Sequence, residues 1–296
     1  MRGKIIKGIA GFYYVHAQDG ELYECKAKGC FRNKKLKPLP GDDVEIEILN
    51  AEKLIGNISD IYDRRSELIR PAVANADQAM VVFAAAEPEP NLNLLDRFLV
   101  LMEKQGMDTI ICFNKKDIVD GEVIEKLKGI YTLAGYKVLT MSILKGEGIS
   151  ELKEILKCKT TVLAGPSGVG KSSVMNTLSP DANMQTGLIS EKIKRGRHTT
   201  RHSELICICD DTYLFDTPGF SSLYLEDILP EKLKDYFREF EKYEGECRFN
   251  GCIHINEPDC ALKNAVNLNA VSKNRYDNYK LLYEELKGER KTYKKK

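Results

Sequence analysis

A chain of 296 residues is longer than one hydrophobic core usually organises, so two or three domains are expected. Its 43% hydrophobic and 30% charged residues suit a globular protein, and the longest apolar run, Ala79–Ala86, is far too short to cross a bilayer, so no membrane span follows and no membrane partner is expected. The net charge of +1 (45 basic against 44 acidic side chains) excludes a partner chosen by bulk charge, and nine scattered cysteines argue against a disulfide framework.

The start MRGKIIKGIAGFYYVHA lacks the continuous apolar stretch of a signal peptide, so a cytoplasmic location is expected. Residues 1–66 hold short alternating runs, GKIIKGIAG, FYYVHAQ, ELYECKA, DDVEIEIL and LIGNISDIY, separated by the turn signals QDG and PGDD. Five short strands in so few residues predict a small closed β-barrel of the oligonucleotide-binding (OB) type, an RNA-binding module; a barrel that only packs on its neighbour is the alternative. The basic cluster FRNKKLKP at Phe31–Pro38 lies within it.

Over residues 67–225 apolar strands alternate with helical stretches: AMVVFAAA, LNLLDRFLVLMEKQG, TIICFNK, GEVIEKLKGIYTLAG and KVLTMS. This is the pattern of a doubly wound α/β fold with a parallel sheet. TIICFNK ends in Asn114-Lys115-Lys116-Asp117. A carboxylate at Asp117 can accept two hydrogen bonds from guanine N1 and N2, a donor pair adenine lacks, while Asn114 fastens the loop and the stem of Lys115 covers the base face. Ser142, the last residue of KVLTMS, marks a second base-side loop.

Next, the strand Thr161–Ala164 runs into Gly165-Pro166-Ser167-Gly168-Val169-Gly170-Lys171-Ser172, followed by Ser173 and a helical pattern. This is G-x-x-x-x-G-K-S in its strand-loop-helix context. Glycines let backbone N–H groups wrap phosphates, and the helix N-terminus adds a favourable dipole. Lys171 reaches the β and γ phosphates and the Ser172 hydroxyl ligates magnesium.

A polar segment, GRHTTR at 196–201, reads as a switch: Thr199 or Thr200 binds magnesium, and His198 aligns the attacking water, with an ordinary surface histidine as the alternative. DTYLFDTPGF then supplies Asp216 for magnesium, directly or through water, and Gly219, whose N–H senses the γ phosphate. Phe220 stands where Ras-like proteins carry a water-orienting glutamine, so slow intrinsic hydrolysis is expected.

Residues 226–296 contain two helical stretches, EKLKDYFREFEKY and SKNRYDNYKLLYEELKGER, flanking GECRFNGCIHINEPDC. Cys247, Cys252, His254 and Cys260 form C-x4-C-x-H-x5-C, three thiolates and an imidazole, which suits a closed structural zinc; the alternative is a reduced cluster without metal. Cys25, Cys112, Cys207 and Cys209 read as small core residues. The last ten residues, KGERKTYKKK, carry six basic side chains and one acid.

Base recognition therefore precedes phosphate binding in the chain, the reverse of the usual order. Ligand loops of an open α/β sheet gather at the carboxyl ends of its strands, so circular permutation can reorder the chain while preserving the site.

The barrel, the permuted nucleotide-binding domain and the cysteine cluster together resemble the RsgA (YjeQ/YloQ) family over nearly the whole chain. The matching residues are NKKD at 114–117, GPSGVGKSS at 165–173, GRHTTR at 196–201, DTPGF at 216–220, and Cys247, Cys252, His254 and Cys260. The resemblance implies a GTP hydrolase stimulated by the small ribosomal subunit and its rRNA, a late role in maturation of that subunit, and one bound zinc. A monomer is expected. A nucleotide-gated RNA-binding switch with little hydrolysis and a translational regulator are the competing readings.

Overall fold

The computed structural model describes residues 1–28, 31, 37–68, 72–179, 204–209, 211–216, 225 and 227–293. Among these, no helix is long and apolar enough to cross a membrane.

The first five strands, β1 (Arg2–Ile9), β2 (Phe12–Ala17), β3 (Leu22–Ala27), β4 (Asp43–Asn50) and β5 (Ile55–Ile61), close into a barrel in the order β1-β2-β3-β5-β4. Alternation carries Ile5, Val15, Tyr23, Cys25, Val44, Ile46 and Ile58 inward. Register shifts in β1 between Ile5 and Lys7, and in β4, supply the local bends that closure needs. Two short strands follow, β6 (Glu67–Leu68) and β7 (Val73–Ala74).

The remaining strands, β8 (Gln78–Ala84), β9 (Thr109–Asn114), β10 (Lys137–Thr140), β11 (Thr160–Ala164), β12 (Glu204–Cys209) and β13 (Thr212–Asp216), form a sheet in the order β10-β9-β8-β11-β13-β12. β8, β9 and β11 are buried along their whole length, as continuous apolar runs covered on both faces should be. β9–β10 and β11–β13 are parallel, but β12 pairs antiparallel with β13 and forms one edge, so the sheet is mixed rather than parallel throughout, as the short connection from Cys209 to Thr212 requires. That edge corrects one expectation: Cys207 is only half-buried and Cys209 is exposed, because β12 has a neighbour on one side and a register shift between the two cysteines.

The chain forms two compact units. One comprises residues 1–79, 153–163 and 172–218, and the other residues 80–152, 164–171 and 219–296. In the second, α1 (Leu92–Lys104) is capped by Asn91, whose side chain accepts from Leu94 N at 3.0 Å. α2 (Gly121–Leu133) lies between β9 and β10, and α3 (Ile149–Leu156) and α4 (Lys171–Leu178) flank β11 in sequence. Beyond residue 229 the predicted first helix is instead two 3-10 turns, Pro230–Tyr236 and Arg238–Tyr243. Phe237 between them is extended (φ −110°, ψ 95°), which turns its ring into the core against Phe240 and Tyr279. Helices α5 (Ala261–Asn267) and α6 (Lys273–Tyr293) complete this part.

A buried charge cluster fastens α6 to α1. The Arg275 guanidinium is 1% exposed and donates from Nη1 to Asp96 Oδ1 at 2.6 Å and from Nη2 to Glu239 Oε2 at 2.9 Å. Asn278 Nδ2 donates to the second Asp96 oxygen at 2.6 Å, and the rings of Phe237, Tyr131 and Tyr136 surround the guanidinium. Burial pushes the Asp96 carboxyl up to about 6, and Arg275 pulls against that rise. Arg97 with Glu285 and Arg238 with Glu103 add two peripheral ion pairs along the same helix.

Candidate nucleotide site and metal cluster

The base-side and phosphate-side loops meet at Asn114. This residue ends β9, is 3% exposed, and uses both halves of its amide: Nδ2 donates to Val169 O at 2.9 Å, and Oδ1 accepts from Ile143 N at 3.2 Å. One side chain thus ties the NKKD loop to the phosphate loop and to the loop containing Ser142. The glycines around it are sterically required. A Cβ on Gly165 (φ +135°) would lie 2.1 Å from Val82 O, and one on Gly170 (φ +100°) would lie 2.3 Å from Asn114 Nδ2.

The two base-side loops are stitched along their length. Lys116 N donates to Met141 O at 3.1 Å, Lys116 Nζ lies 2.8 Å from Glu147 Oε2, and Ser142 and Glu147 exchange backbone hydrogen bonds. The Ser142 side chain faces inward, and its hydroxyl accepts from Lys145 N at 3.1 Å. A hydrogen bond with that hydroxyl, first, and the charges of Lys145 and Lys115 hold the Asp117 carboxyl below its ordinary value. Asp117 is therefore an anion at neutral pH, able to accept but not donate.

Lys115 adopts the left-handed conformation (φ 62°), and its ammonium donates to the Glu87 carbonyl oxygen. Pro88 comes within 3.7 Å of where a Gly168 Cβ would sit. The segment after β8 is thus part of the site's wall, although sequence reading passed over it. The available signal was its position, EPEP directly after a strand end where ligand loops collect.

In the phosphate loop, Lys171 Nζ donates to Gly165 O at 2.8 Å and Pro166 O at 2.6 Å, so the ammonium lies against its own loop at the N-terminus of α4. Val169 is buried, while Ser167, Gly168, Ser172 and Ser173 are exposed, leaving loop backbone and the Ser172 hydroxyl accessible to a phosphate and its cation. Asp216 ends β13. Its side chain, His198, Thr199, Thr200, Gly219 and Phe220 lie outside the described residues.

Cys247, Cys252, His254 and Cys260 converge, with all their ligand atoms within 4.8 Å of one another. Cys247 Sγ and Cys252 Sγ lie 3.8 and 3.9 Å from Cys260 Sγ. His254 Nδ1 is 3.5 Å from Cys247 Sγ and 3.3 Å from Cys260 Sγ. Zinc bound tetrahedrally, with Zn–S of about 2.3 Å and Zn–N of about 2.0–2.1 Å, requires edges of about 3.8 Å (S to S) and 3.5 Å (S to N). The donor set fits that ion.

The local frame explains the convergence. His254 takes the left-handed conformation (φ 62°), and its N–H donates to Cys252 Sγ at 3.4 Å. The Glu257 carboxylate accepts from Ile253 N at 2.8 Å and Ile255 N at 3.0 Å. Tyr279 and Tyr276 on α6 donate to the carbonyls of Ile253 at 2.6 Å and His254 at 2.8 Å. Burial pushes the Cys252 thiol up to about 12 and raises Cys260 as well, so these two ionise here only beside a cation.

Comparison with known proteins agrees with this geometry. Residues 61–226 match the RsgA GTPase family model, and residues 2–55 match the model of the RsgA N-terminal domain. A relative from Agathobacter rectalis, named small ribosomal subunit biogenesis GTPase RsgA, is 56% identical over 98% of this chain and 100% of its own length. One of the same name from Alkaliphilus metalliredigens is 48% identical over 98% and 99%. Among solved structures, YloQ, described as a circularly permuted GTPase, superposes with a TM-score of 0.78 at 37% identity, covering 97% of this chain and 95% of that one. YjeQ from Thermotoga maritima gives 0.80 at 36% identity, covering 97% and 98%. Family models, full-length relatives and solved structures converge, and the chain belongs to the RsgA GTPase family.

Proposed function

We propose that this chain is a cytoplasmic, monomeric GTPase that binds the small ribosomal subunit and hydrolyses GTP during late maturation of that particle. The observation that carries the reading is Asn114, whose amide joins the NKKD loop, the Ser142 loop and the phosphate loop. A guanine base and its phosphates need those three loops in one register.

In this reading Asp117 accepts from guanine N1 and N2, Lys115 lies over the base, and Lys116 holds the Ser142 loop through Glu147. The backbone of Gly165–Gly170 and the Lys171 ammonium take the phosphates, with Ser173 and the start of α4 beneath them. Ser172, Thr200 and Asp216 would hold magnesium, directly or through water, and the ion would supply charge neutralisation at the phosphates. The Gly219 N–H meets the γ phosphate, and His198 aligns the water that Phe220 cannot. Residues 1–66 act as an RNA-binding barrel, 67–225 as the GTPase domain, and 226–296 as a helical zinc-binding domain holding one zinc, its basic tail set against rRNA phosphates.

The test is single-turnover GTP hydrolysis with and without saturating small subunits, on the wild type and His198→Ala. A catalytic group supplied in trans is worth roughly 10³–10⁵ in other GTPases, and ordering an endogenous one is expected to yield a fraction of that. Wild type should be strongly stimulated, and His198→Ala should keep its GTP affinity while losing most of the stimulation. Phe220 favours a second reading, a nucleotide-gated RNA-binding switch; wild type bound to subunits without stimulated turnover would establish that reading instead.

A further inference from the structure

The OB-like barrel grips the one strand pair that lies between the two nucleotide-sensing segments in the chain. β12 begins at Glu204, three residues past Arg201 of GRHTTR, and β13 ends at Asp216, the first residue of DTPG. As the sheet's edge, β12 is hydrogen-bonded in the sheet, among the described residues, only to β13, and β1 of the barrel runs beside it. Two polar links join them. Lys7 Nζ lies 2.7 Å from Glu204 Oε2, with side chains only 15% and 22% exposed. His16 Nδ1 lies 2.8 Å from the hydroxyl of Tyr213, and the two rings meet edge to face at 5.9 Å. The Lys4 ammonium sits 5.6 Å from the centre of the same tyrosine ring.

Next to these links a cavity of about 770 Å³ opens between the same elements, lined by Arg2, His16 and Tyr62 of the barrel and Cys207, Cys209 and Asp211 of the hairpin. The grip is therefore narrow. It falls at the first residue of β12 and the second of β13, three residues along the chain from Arg201 and from Asp216 respectively.

We propose that Lys7 and Glu204, supported by His16 and Tyr213, are positioning residues for GTP hydrolysis: the barrel holds the β12–β13 hairpin, and with it Asp216, in the register that the reaction needs. This rests on the GTPase function proposed above and assigns the barrel a role in turnover beyond attachment. Asn114 ends β9, and Asp117 and Ser142 follow β9 and β10, so recognition of the base should not depend on this grip and the loss should fall on kcat rather than on KM.

The experiment uses the full chain and four proteins: wild type, Lys7→Glu, Glu204→Lys and the double exchange. Each single variant should lower single-turnover kcat about three- to tenfold while leaving the KM for GTP unchanged, and the double exchange should restore most of the loss. Rescue by the exchanged pair assigns the loss to this ion pair, and because a single-turnover rate constant at saturating protein does not depend on the fraction folded, general loss of stability does not lower it. A fifth protein, Tyr213→Phe, which keeps the ring and removes the hydroxyl, should lower kcat with KM likewise unchanged. Wild-type kcat in both single variants, or an exchanged pair no better than either single one, overturns the proposal. If small subunits fail to stimulate the wild type, the proposed function fails separately, and the intrinsic rates of the same four proteins still decide this inference.

Discussion

Replacing Arg275 by Met should release α6 from α1, with a pH dependence that identifies the cause. The substitution keeps an unbranched side chain of similar length but leaves the carboxylates of Asp96 and Glu239, 0% and 4% exposed, without their cation. Removing one partner from a buried ionic cluster costs about 3–5 kcal/mol. In the wild type the Asp96 carboxyl is already pushed up to about 6 from an ordinary 3.8. Between those values the folded state binds more protons than the unfolded one, so this group's contribution to stability falls as pH rises through the window and is constant above it. Without Arg275 the principal pull downward is gone, Asp96 rises further, and the window extends above pH 6. The loss should therefore be largest at pH 8 and smaller at pH 6.5, where Asp96 takes up a proton. Two compact units make a single global unfolding energy ill-defined, so amide hydrogen exchange of α1 and α6, corrected for intrinsic rates, is the suitable assay. Protection in those helices should fall about 10²- to 10⁴-fold at pH 8. Adding Asp96→Asn and Glu239→Gln should recover most of it, since removing the whole charged group is far less costly than orphaning half. A fall below tenfold, or an equal fall at both pH values, would refute the reasoning.

Asp117→Asn should weaken GTP binding and favour xanthine nucleotides, because an amide presents a donor to guanine N1–H where an acceptor is required; unchanged GTP affinity by titration calorimetry counts against the base assignment. Purified wild type should contain one zinc per chain by elemental analysis, and Cys252→Ala should lose it and expose the segment 247–260 to protease while nucleotide still binds, since ligation there is coupled to local folding. Wild type without zinc, or a Cys252→Ala protein that retains it, would contradict the reading of the cluster.

Much of the molecule is legible in short stretches of sequence because the chemistry concerned is local. GPSGVGKSS carries its own phosphate-binding geometry in glycine spacing between a strand and a helix, and Cys247, Cys252, His254 and Cys260 fall within one turn-rich stretch whose donor types name the ion. Alternation likewise places the five barrel strands, since one face of each must be buried. Where neighbours from distant segments decide a conformation, local pattern is insufficient. EKLKDYFREFEKY has a helical pattern, yet burying Phe237 against Phe240 and Tyr279 is worth more than continuing the helix. Cys207 and Cys209 have the alternation of a core strand, but sheet order makes β12 an edge. The Glu87 carbonyl enters the site only because β8 ends beside the phosphate loop. Arg275 and Asp96 are 179 residues apart in the chain, and each alone looks like an ordinary charge on a helix. The sequence by itself determined which chemical groups this protein holds, because motifs are written in neighbouring residues. Only the tertiary structure decided which of them share a register, because burying a charge or bridging two loops depends on partners that the chain meets after it has folded.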